Sequence, residues 1–464
     1  MYPIVLLSIL GLVVLFLGFN KSKNILLPAT MLFLVIALIA NFMNWNAGAF
    51  LYFKDMLLEN KLTMAFSGIV IFSALLIVAL TRGFADDESA HPAEYYALML
   101  FSLVGAIMMI SFQNVIMLFL GIEILSVAMY VLTGSDKRNL RSNEAALKYF
   151  LMGSFATGIM LFGIAMLYGA TGSFNLTGLQ GYVTTNSTPS ALLYIGLLML
   201  LIGMLFKVSA APFHFWTPDV YEGAPTVFTA YMSTIVKTAG FAAIYRLLAG
   251  SFSGVYTFWW ITMAGIAILT LLAGNIVAVS QSSFKRMMAY SSISHAGYLL
   301  LSLTALTTQS PNAIIFYSLA YSVATISAFG VLMLLTKETG VKSYVEVEHF
   351  DTFNGLGKRS PLLAFVLTVA MLSLAGIPLT AGFWGKFFVF STVVDRGLVW
   401  ILIVAVLMSA VGIYYYFRPI IASYMREGAS PAITVPPFYK LVLIATTLIT
   451  LLCGLLPNFL QTLI

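Results

Sequence analysis

The sequence predicts an all-α polytopic membrane protein, and its composition supports that fold class. The chain has 464 residues, of which 61% are apolar and 9% charged, and its mean hydropathy is +0.98. A typical soluble domain is about 45–50% apolar and roughly a quarter charged. Too few charged residues are present to cover a water-facing surface of this size, and no hydrophilic stretch is long enough for a separate soluble domain.

Apolar runs of about 20 residues, the length that crosses a bilayer as a helix, predict fourteen spans. They cover residues 2–19, 25–43, 62–81, 95–112, 114–133, 148–169, 190–216, 225–248, 256–279, 287–307, 312–335, 361–395, 398–424 and 437–460. The first run, MYPIVLLSILG, lacks a basic n-region and a small-residue cleavage site, so it predicts a spanning helix rather than a signal peptide.

The loop lysines and arginines agree with fourteen spans through the positive-inside rule. Alternate loops share a side of the membrane, and fifteen of these basic residues fall on one side against four on the other. The larger set is Lys21, Lys23, Arg82, Lys137, Arg138, Arg141, Lys285, Arg286, Lys337, Lys342, Lys358, Arg359, Arg418, Arg426 and Lys440; the smaller is Lys54, Lys61, Arg246 and Arg396. Both termini are therefore expected to face away from the cytoplasm.

Two of the predicted spans contain helix-breaking residues. The twelfth span runs 35 residues and contains AGIPLTAGF, in which Gly376, Pro378 and Gly382 are expected to interrupt helical hydrogen bonding. The seventh contains KVSAAPFHFW, with an interruption at Pro212. Broken helices at membrane depth need protein or water to cover the freed backbone groups. A pair of them favours an inverted-repeat transporter, and ordinary packing kinks are the alternative.

Once the residues counted with the loops are set aside, five charged side chains stand out inside an apolar span or where a span begins. They are Glu123, Lys148, Lys207, Lys237 and Lys386. A charged residue at the centre of a spanning helix costs roughly 2.5–3.5 kcal/mol. Such residues persist where they line a hydrated path and pair with one another, so together they predict a proton route through the membrane.

The acid–base chemistry of these residues suggests an order for the route. Glu123 and Lys207 are the expected pair, because an acid and a base neutralise each other in a low dielectric. Lys237 would then receive the proton, and His295 in YSSISHAGY would pass it onward, since imidazole titrates near neutrality. Lys386, beyond the second break in AGFWGKFF, would form the far end.

Structural explanations remain open for each of the cationic side chains. Lys148 follows Glu144 by four residues, which is the spacing of an ordinary helical ion pair. Lys207, Lys237 and Lys386 could extend their ammonium groups toward the membrane interface.

Three further groups are open to the same question. His295 fits a hydrogen-bonded core histidine, and His214, at the break in the seventh span, fits a side chain that satisfies a freed carbonyl. Asp219 and Glu222 in TPDVYEGAP either cap the next helix or guard a proton entrance.

Several kinds of site are excluded by the residues present. One cysteine, Cys453, is too few for a disulfide framework, a thiolate zinc site or an iron–sulfur cluster. The sequence contains no Walker A pattern, no dinucleotide-binding glycine fingerprint and no clustered metal ligands. We therefore expect no cofactor-binding or metal site in this chain, and energy must come from partner proteins or an ion gradient.

Three segments identify a family resemblance: FKVSAAPFHFWTPDVYEGAPT (206–226), FKRMMAYSSISHAGY (284–298) and MLSLAGIPLTAGFWGKF (371–387). They closely resemble the antiporter-like membrane subunits of respiratory complex I, the proton-pumping NADH:quinone oxidoreductase. Similar subunits occur in membrane-bound hydrogenases and multisubunit sodium/proton antiporters. LGIEILSVAMYVLTG (120–134) and NEAALKYFLMGSFATG (143–158) look most like the N-type members. The resemblance covers essentially the whole chain.

The resemblance implies an internal organisation for a single integral membrane domain. Three N-terminal helices (1–94) would precede two inverted five-helix repeats, at 95–248 and 256–424, and a C-terminal helix at 437–460 would follow. The broken helices of the family correspond to spans seven and twelve.

The resemblance also implies roles for particular residues. Glu123 matches the family's key acid, Lys207 and Lys237 its central lysines, and Lys386 its exit-side lysine, while Lys148 matches a lysine in the sixth helix. The chain would then be a proton-translocating subunit in a bacterial inner (plasma) membrane. NADH, FMN, iron–sulfur clusters and quinone would belong to partner subunits. The alternatives are a subunit of a sodium/proton antiporter or membrane-bound hydrogenase, and a purely structural subunit.

Overall fold

The computed structural model is almost entirely helical over residues 1–81, 91–186, 188–338, 348–428 and 432–457, which are the residues that the structure describes, the side chains of Lys337 and Glu338 excepted. The α-helices are α1 (Tyr2–Leu17), α2 (Leu26–Phe42), α3 (Lys61–Ala79), α4 (Pro92–Ser111), α5 (Val115–Thr133), α6 (Leu140–Thr171), α7 (Leu176–Thr185), α8 (Ala191–Lys207), α9 (Trp216–Gly223), α10 (Thr226–Tyr231), α11 (Lys237–Ser251), α12 (Tyr256–Val279), α13 (Phe284–Ala305), α14 (Ser310–Glu338), α15 (Leu356–Arg359), α16 (Pro361–Ala375), α17 (Ala381–Asp395), α18 (Val399–Met425) and α19 (Pro437–Leu455).

Shorter elements connect or interrupt these helices. Three 3-10 turns occupy Lys23–Ile25, Ser253–Val255 and Phe350–Phe353, and a π-helical turn, Met232–Val236, joins α10 to α11. Strands β1 (Phe50–Tyr52) and β2 (Leu57–Glu59) form an antiparallel hairpin.

Helices are present within every predicted apolar span. In the described part of the chain, ten helices are long and apolar enough to cross a membrane. Three further apolar helices, α1, α8 and α16, are shorter, with 16, 17 and 15 residues. The composition thus produces a helical membrane protein, as expected.

The chain forms two compact units. Unit 1 comprises Met1–Trp216 and Gly223–Met263, and unit 2 comprises Thr217–Glu222 and Ala264–Ile464. Within unit 1, α6 packs along α8. The two backbones lie close together at Gly163, where a Cβ atom would lie 2.7 Å from the carbonyl oxygen of Gly196. Small residues of this kind let membrane helices pack backbone to backbone, and here they hold α8 in place.

Both predicted helix interruptions are present. Helix α8 ends at Lys207, and Ser209 in the following turn has a left-handed backbone with φ of 62°. Helix α16 ends at Ala375, Gly376 follows with φ of 84°, and α17 begins at Ala381. Each break leaves carbonyl groups at the end of a half-helix without intrahelical partners.

Gly382 plays a different part from the one expected. It does not interrupt a helix but is the second residue of α17. A side chain at this position would collide with the backbone carbonyl oxygen of Ser373 on α16. The glycine is therefore needed for the close contact between two half-helices, which a single sequence does not distinguish from a helix breaker.

Some basic residues assigned to loops lie in helices instead, and two arginines lie more than a turn from either helix end. Arg246 belongs to α11, is 8% exposed, and donates a hydrogen bond from Nη2 to the Thr63 hydroxyl. Arg418 belongs to α18 and donates to the carbonyl oxygens of Val279 and Gln281. Both guanidinium groups donate hydrogen bonds to protein oxygen atoms, and these bonds offset the cost of placing a charge within an apolar helix. Arg82 and Lys342 lie outside the described residues.

Two basic residues at the start of α13, Lys285 and Arg286, form an ionic cluster with acidic residues of unit 2. Lys285 is buried and donates from Nζ to Glu348 Oε1 at 2.9 Å and to the carbonyl oxygen of Glu222 at 2.9 Å. Arg286 Nη1 donates to Asp219 Oδ1 at 2.9 Å and to Glu222 Oε2 at 2.8 Å. The two carboxylates of TPDVYEGAP thus bind an arginine of unit 2.

The Lys285–Glu348 pair gives a stability prediction. In Lys285→Met the buried carboxylate loses its cation, which is expected to destabilise unit 2 by about 3–5 kcal/mol. The double variant Lys285→Met/Glu348→Leu should recover most of this loss, because an apolar pair of similar volume leaves no buried charge. Thermal unfolding of the purified protein in detergent measures both effects. Equal melting temperatures for Lys285→Met and wild type would contradict the assignment.

Candidate functional site

Lys207 is the last residue of α8 and is buried in unit 1, with 3% of its surface exposed. Its ammonium group donates to Ser126 Oγ at 2.7 Å and to the Tyr149 hydroxyl at 3.2 Å. It also lies 5.3 Å from the centre of the Tyr149 ring, within the range of a cation–π interaction. A cation is favourable here because the carbonyl ends of a helix carry partial negative charge.

Glu123 lies on α5, one helical turn before Ser126, and is partly exposed. Its Oε1 atom is buried and has no hydrogen-bond partner among the described residues. Its charge interacts electrostatically with Lys207. The structure therefore brings together the predicted acid and base, but the ammonium is bound to Ser126 and Tyr149 rather than to the carboxylate.

Ser126 and Tyr149 were not identified from the sequence. Ser126 accepts from Lys207 and itself donates to the carbonyl oxygen of Ile122. The Tyr149 ring stacks on Trp216 with centroids 4.6 Å apart, and the Trp216 indole donates to the carbonyl oxygen of Phe206. The available signals were weak: Ser126 follows Glu123 by three residues, and Tyr149 follows Lys148.

Lys148 faces a different environment from Tyr149. Its Nζ lies 2.6 Å from Glu144 Oε1, and the two side chains are 41% and 61% exposed. The four-residue spacing thus produces the helical ion pair that was the structural alternative for this lysine.

Lys237 is buried in unit 1, with 3% of its surface exposed. It is the first residue of α11 and directly follows the π-helical turn Met232–Val236. Such turns interrupt the regular backbone ladder and occur frequently at functional sites. Since residues 227–244 are all buried, Lys237 does not reach an exposed interface, and snorkelling does not explain it.

His295 is the centre of a polar cluster in unit 2 and is 4% exposed. Its Nδ1 atom is 2.7 Å from the Tyr317 hydroxyl, and its Nε2 atom is 3.0 Å from the Tyr416 hydroxyl. A cavity of about 10 Å³, room for about one water molecule, is lined by His295 and Tyr317 together with Ser373 and Gly382 at the second helix break.

Lys386 lies on α17 in unit 2 and is 6% exposed. Its ammonium group donates to the carbonyl oxygen of Ala375 at 2.8 Å and to Ser409 Oγ at 2.9 Å, and it lies 4.8 Å from the centre of the Tyr298 ring. Ala375 is the last residue of α16. Lys386 therefore caps the broken helix of unit 2, much as Lys207 ends the broken helix of unit 1.

His214 lies in the turn that follows α8 and is 9% exposed. Its ring stacks on Phe215 with centroids 4.5 Å apart.

Among the residues that the structure describes, no group of three or more His, Cys, Asp or Glu side chains is arranged to hold a metal ion.

Comparisons with known proteins place this arrangement in a family. Residues 113–412 match the transmembrane family described as NADH:quinone oxidoreductase/Mrp antiporter. NADH-quinone oxidoreductase subunit N of Flavobacterium psychrophilum is 40% identical over 459 residues, covering 99% of each chain. Subunit N of Cytophaga hutchinsonii is 41% identical over 465 residues, covering 99% of this chain and 98% of the relative.

A solved structure is similar over the same length. A chain of respiratory complex I from Thermus thermophilus with bound aureothin superposes with a TM-score of 0.84 at 33% identity, covering 99% of both chains. The two relatives named above are subunit N proteins. Because the similarity in sequence and fold extends over the full length, this chain belongs to the NADH:quinone oxidoreductase/Mrp antiporter family of membrane subunits.

Proposed function

We propose that the chain is a proton-translocating membrane subunit of an NADH:quinone oxidoreductase. Protons would move through its buried charged groups while quinone is reduced in other subunits of the complex. Full-length similarity to subunit N proteins supports the assignment to this complex. The environment of the buried lysines supports the transport role.

The observation that carries the transport role is the set of atoms that bind the ammonium groups of Lys207 and Lys386. Within the described residues, hydroxyl and carbonyl oxygens hold both ammonium groups, and no carboxylate pairs with either. A buried ammonium with no carboxylate in direct contact costs several kcal/mol, and a purely structural subunit has no reason to retain such a residue. The hydroxyls of Ser126, Tyr149 and Ser409 accept hydrogen bonds from an ammonium and donate to a neutral amine, so both protonation states are accommodated.

Glu123 is the proposed control point for Lys207. Its partly exposed side chain can respond to charge changes in a neighbouring subunit, and its electrostatic interaction with Lys207 transmits the change. In a low dielectric such an interaction is much stronger than in water. A change in charge near Glu123 would therefore alter how firmly Lys207 holds its proton.

The proposed relay continues from Lys207 to Lys237 and His295 and ends at Lys386. Each of these side chains is buried and lies beside hydroxyl groups, a π-helical turn or a helix break. Lys148 is assigned to the relay on the family match alone, since its contact with Glu144 also fits an ion pair at a helix surface.

We further propose fourteen spans, two inverted five-helix repeats at 95–248 and 256–424, and both termini on the periplasmic side of a bacterial inner membrane. A helix within every predicted span and one lysine at the helix break of each unit support the repeat. The chain itself is proposed to hold no redox cofactor, with NADH, FMN, iron–sulfur clusters and quinone bound by partner subunits.

The relay predicts a specific loss of transport. Glu123→Ala and Lys237→Ala should each remove this subunit's share of NADH-driven proton pumping, because each deletes one step of the route. Proton uptake and NADH oxidation are measured together in liposomes containing the assembled complex. Lys54→Ala, which removes an exposed loop charge, is the control and should pump normally. Normal pumping by both site variants in a fully assembled complex would contradict the proposal.

The close packing of Gly376 against Lys386 predicts that a larger residue at position 376 lowers proton pumping. An alanine Cβ at this position would lie 2.8 Å from Lys386 Cδ and 3.2 Å from its Nζ, so Gly376→Ala should displace the ammonium and lower pumping. Gly397→Ala is the matched control, since Gly397 is also left-handed, with φ of 77°, but has no atom within 4 Å of the added Cβ. Both variants should cost about 1–2 kcal/mol in backbone strain. Equal pumping by the two would contradict a role for the position of Lys386.

A further inference from the structure

We propose that Tyr317, His295, Tyr416 and Ser291 form a single proton-conducting chain, the His295 chain, in which the two tyrosine hydroxyls are obligatory carriers. This inference rests on the proposed transport function and names residues that carry the proton through unit 2. All four side chains belong to unit 2, on α13, α14 and α18.

The first observation is that both imidazole nitrogens of His295 are bound to tyrosine hydroxyls. Tyr317 lies 2.7 Å from Nδ1 and Tyr416 lies 3.0 Å from Nε2. The Tyr416 hydroxyl also forms a hydrogen bond with the Ser291 hydroxyl. The three hydrogen bonds therefore join four side chains without a gap.

The chemistry of imidazole gives this chain a direction. Neutral imidazole has one N–H donor and one acceptor nitrogen, so one tyrosine must donate to His295 while the other accepts from it. When Tyr317 donates, His295 donates to Tyr416 and Tyr416 donates to Ser291. In the other tautomer every hydrogen bond points the opposite way.

Proton transfer along the chain converts one orientation into the other. In the tautomer whose Nδ1 carries the proton, a proton that binds the Ser291 oxygen displaces the Ser291 proton onto Tyr416, and the Tyr416 proton passes to Nε2. The Nδ1 proton passes to Tyr317, and the Tyr317 proton leaves at the end that faces Lys386. Each O–H or N–H bond that forms is matched by one that breaks, so one proton enters and one leaves. Rotation of the hydroxyls and return of the tautomer reset the chain.

The surroundings show which end faces the second helix break. Tyr317 lines the small cavity together with Ser373 and Gly382. A Cβ on Gly385, the residue before Lys386, would lie 3.1 Å from the Tyr317 ring. The Tyr317 end therefore lies against the half-helix that carries Lys386, and Ser291 is the opposite end.

The test compares Tyr317→Phe and Tyr416→Phe in the assembled complex in liposomes, with NADH-driven proton uptake as the readout. Both variants keep the ring and delete one hydroxyl of the chain. Each should lose as much pumping as Lys237→Ala assayed in parallel. The control is Tyr231→Phe, whose buried hydroxyl binds Ser102 and the carbonyl oxygen of Met99 in unit 1; it should pump normally.

A solvent isotope measurement separates carriers from packing residues. If the hydroxyls carry the proton, the ratio of pumping rates in H2O and D2O should be larger in the tyrosine variants than in wild type, because proton transfer becomes the slow step. Lower pumping with an unchanged ratio would assign the tyrosines to packing and overturn the inference. Normal pumping by both variants, while Lys237→Ala loses pumping, would overturn the inference alone. Normal pumping by Lys237→Ala as well would overturn the proposed function.

Discussion

A lysine ammonium buried at the carbonyl end of an interrupted helix is the interaction on which both candidate sites depend. The interruption frees backbone carbonyl groups that lipid cannot satisfy, and a cation is the natural partner for that end of a helix. Lys386 binds the carbonyl oxygen of Ala375 directly, and Lys207 is itself the last residue of its helix. The break and the charge therefore stabilise each other.

The same arrangement supports the proposed role of the lysines in proton transfer. Hydroxyl groups complete the shell of each ammonium group, from Ser126 and Tyr149 in unit 1 and from Ser409 in unit 2. A carboxylate in direct contact would fix the positive charge, whereas hydroxyls serve both protonation states. The Lys207 ammonium is bound to hydroxyls rather than to the Glu123 carboxylate, whose charge acts on it electrostatically; under the proposed function this keeps the lysine responsive.

The sequence predicted the helical membrane fold and both interruptions, because apolar run length and helix-breaking residues are local signals. It also marked Glu123 and the lysines, since charge inside an apolar run is conspicuous. It did not predict the π-helical turn before Lys237, nor the partners Ser126 and Tyr416, because serines and tyrosines are common in membrane helices and their contacts come from other helices. Arg246 was assigned to a loop because its partner, Thr63, is distant in sequence.

Reconstitution of the tagged, co-purified assembly tests whether this chain moves protons as part of an NADH-oxidising complex. The assembly is placed in sealed liposomes, and proton and sodium movements are followed while NADH and quinone are supplied. We expect a flavin- and iron–sulfur-containing assembly whose NADH oxidation drives proton uptake with or without sodium. A colourless assembly of membrane proteins that exchanges sodium for protons without NADH would contradict it.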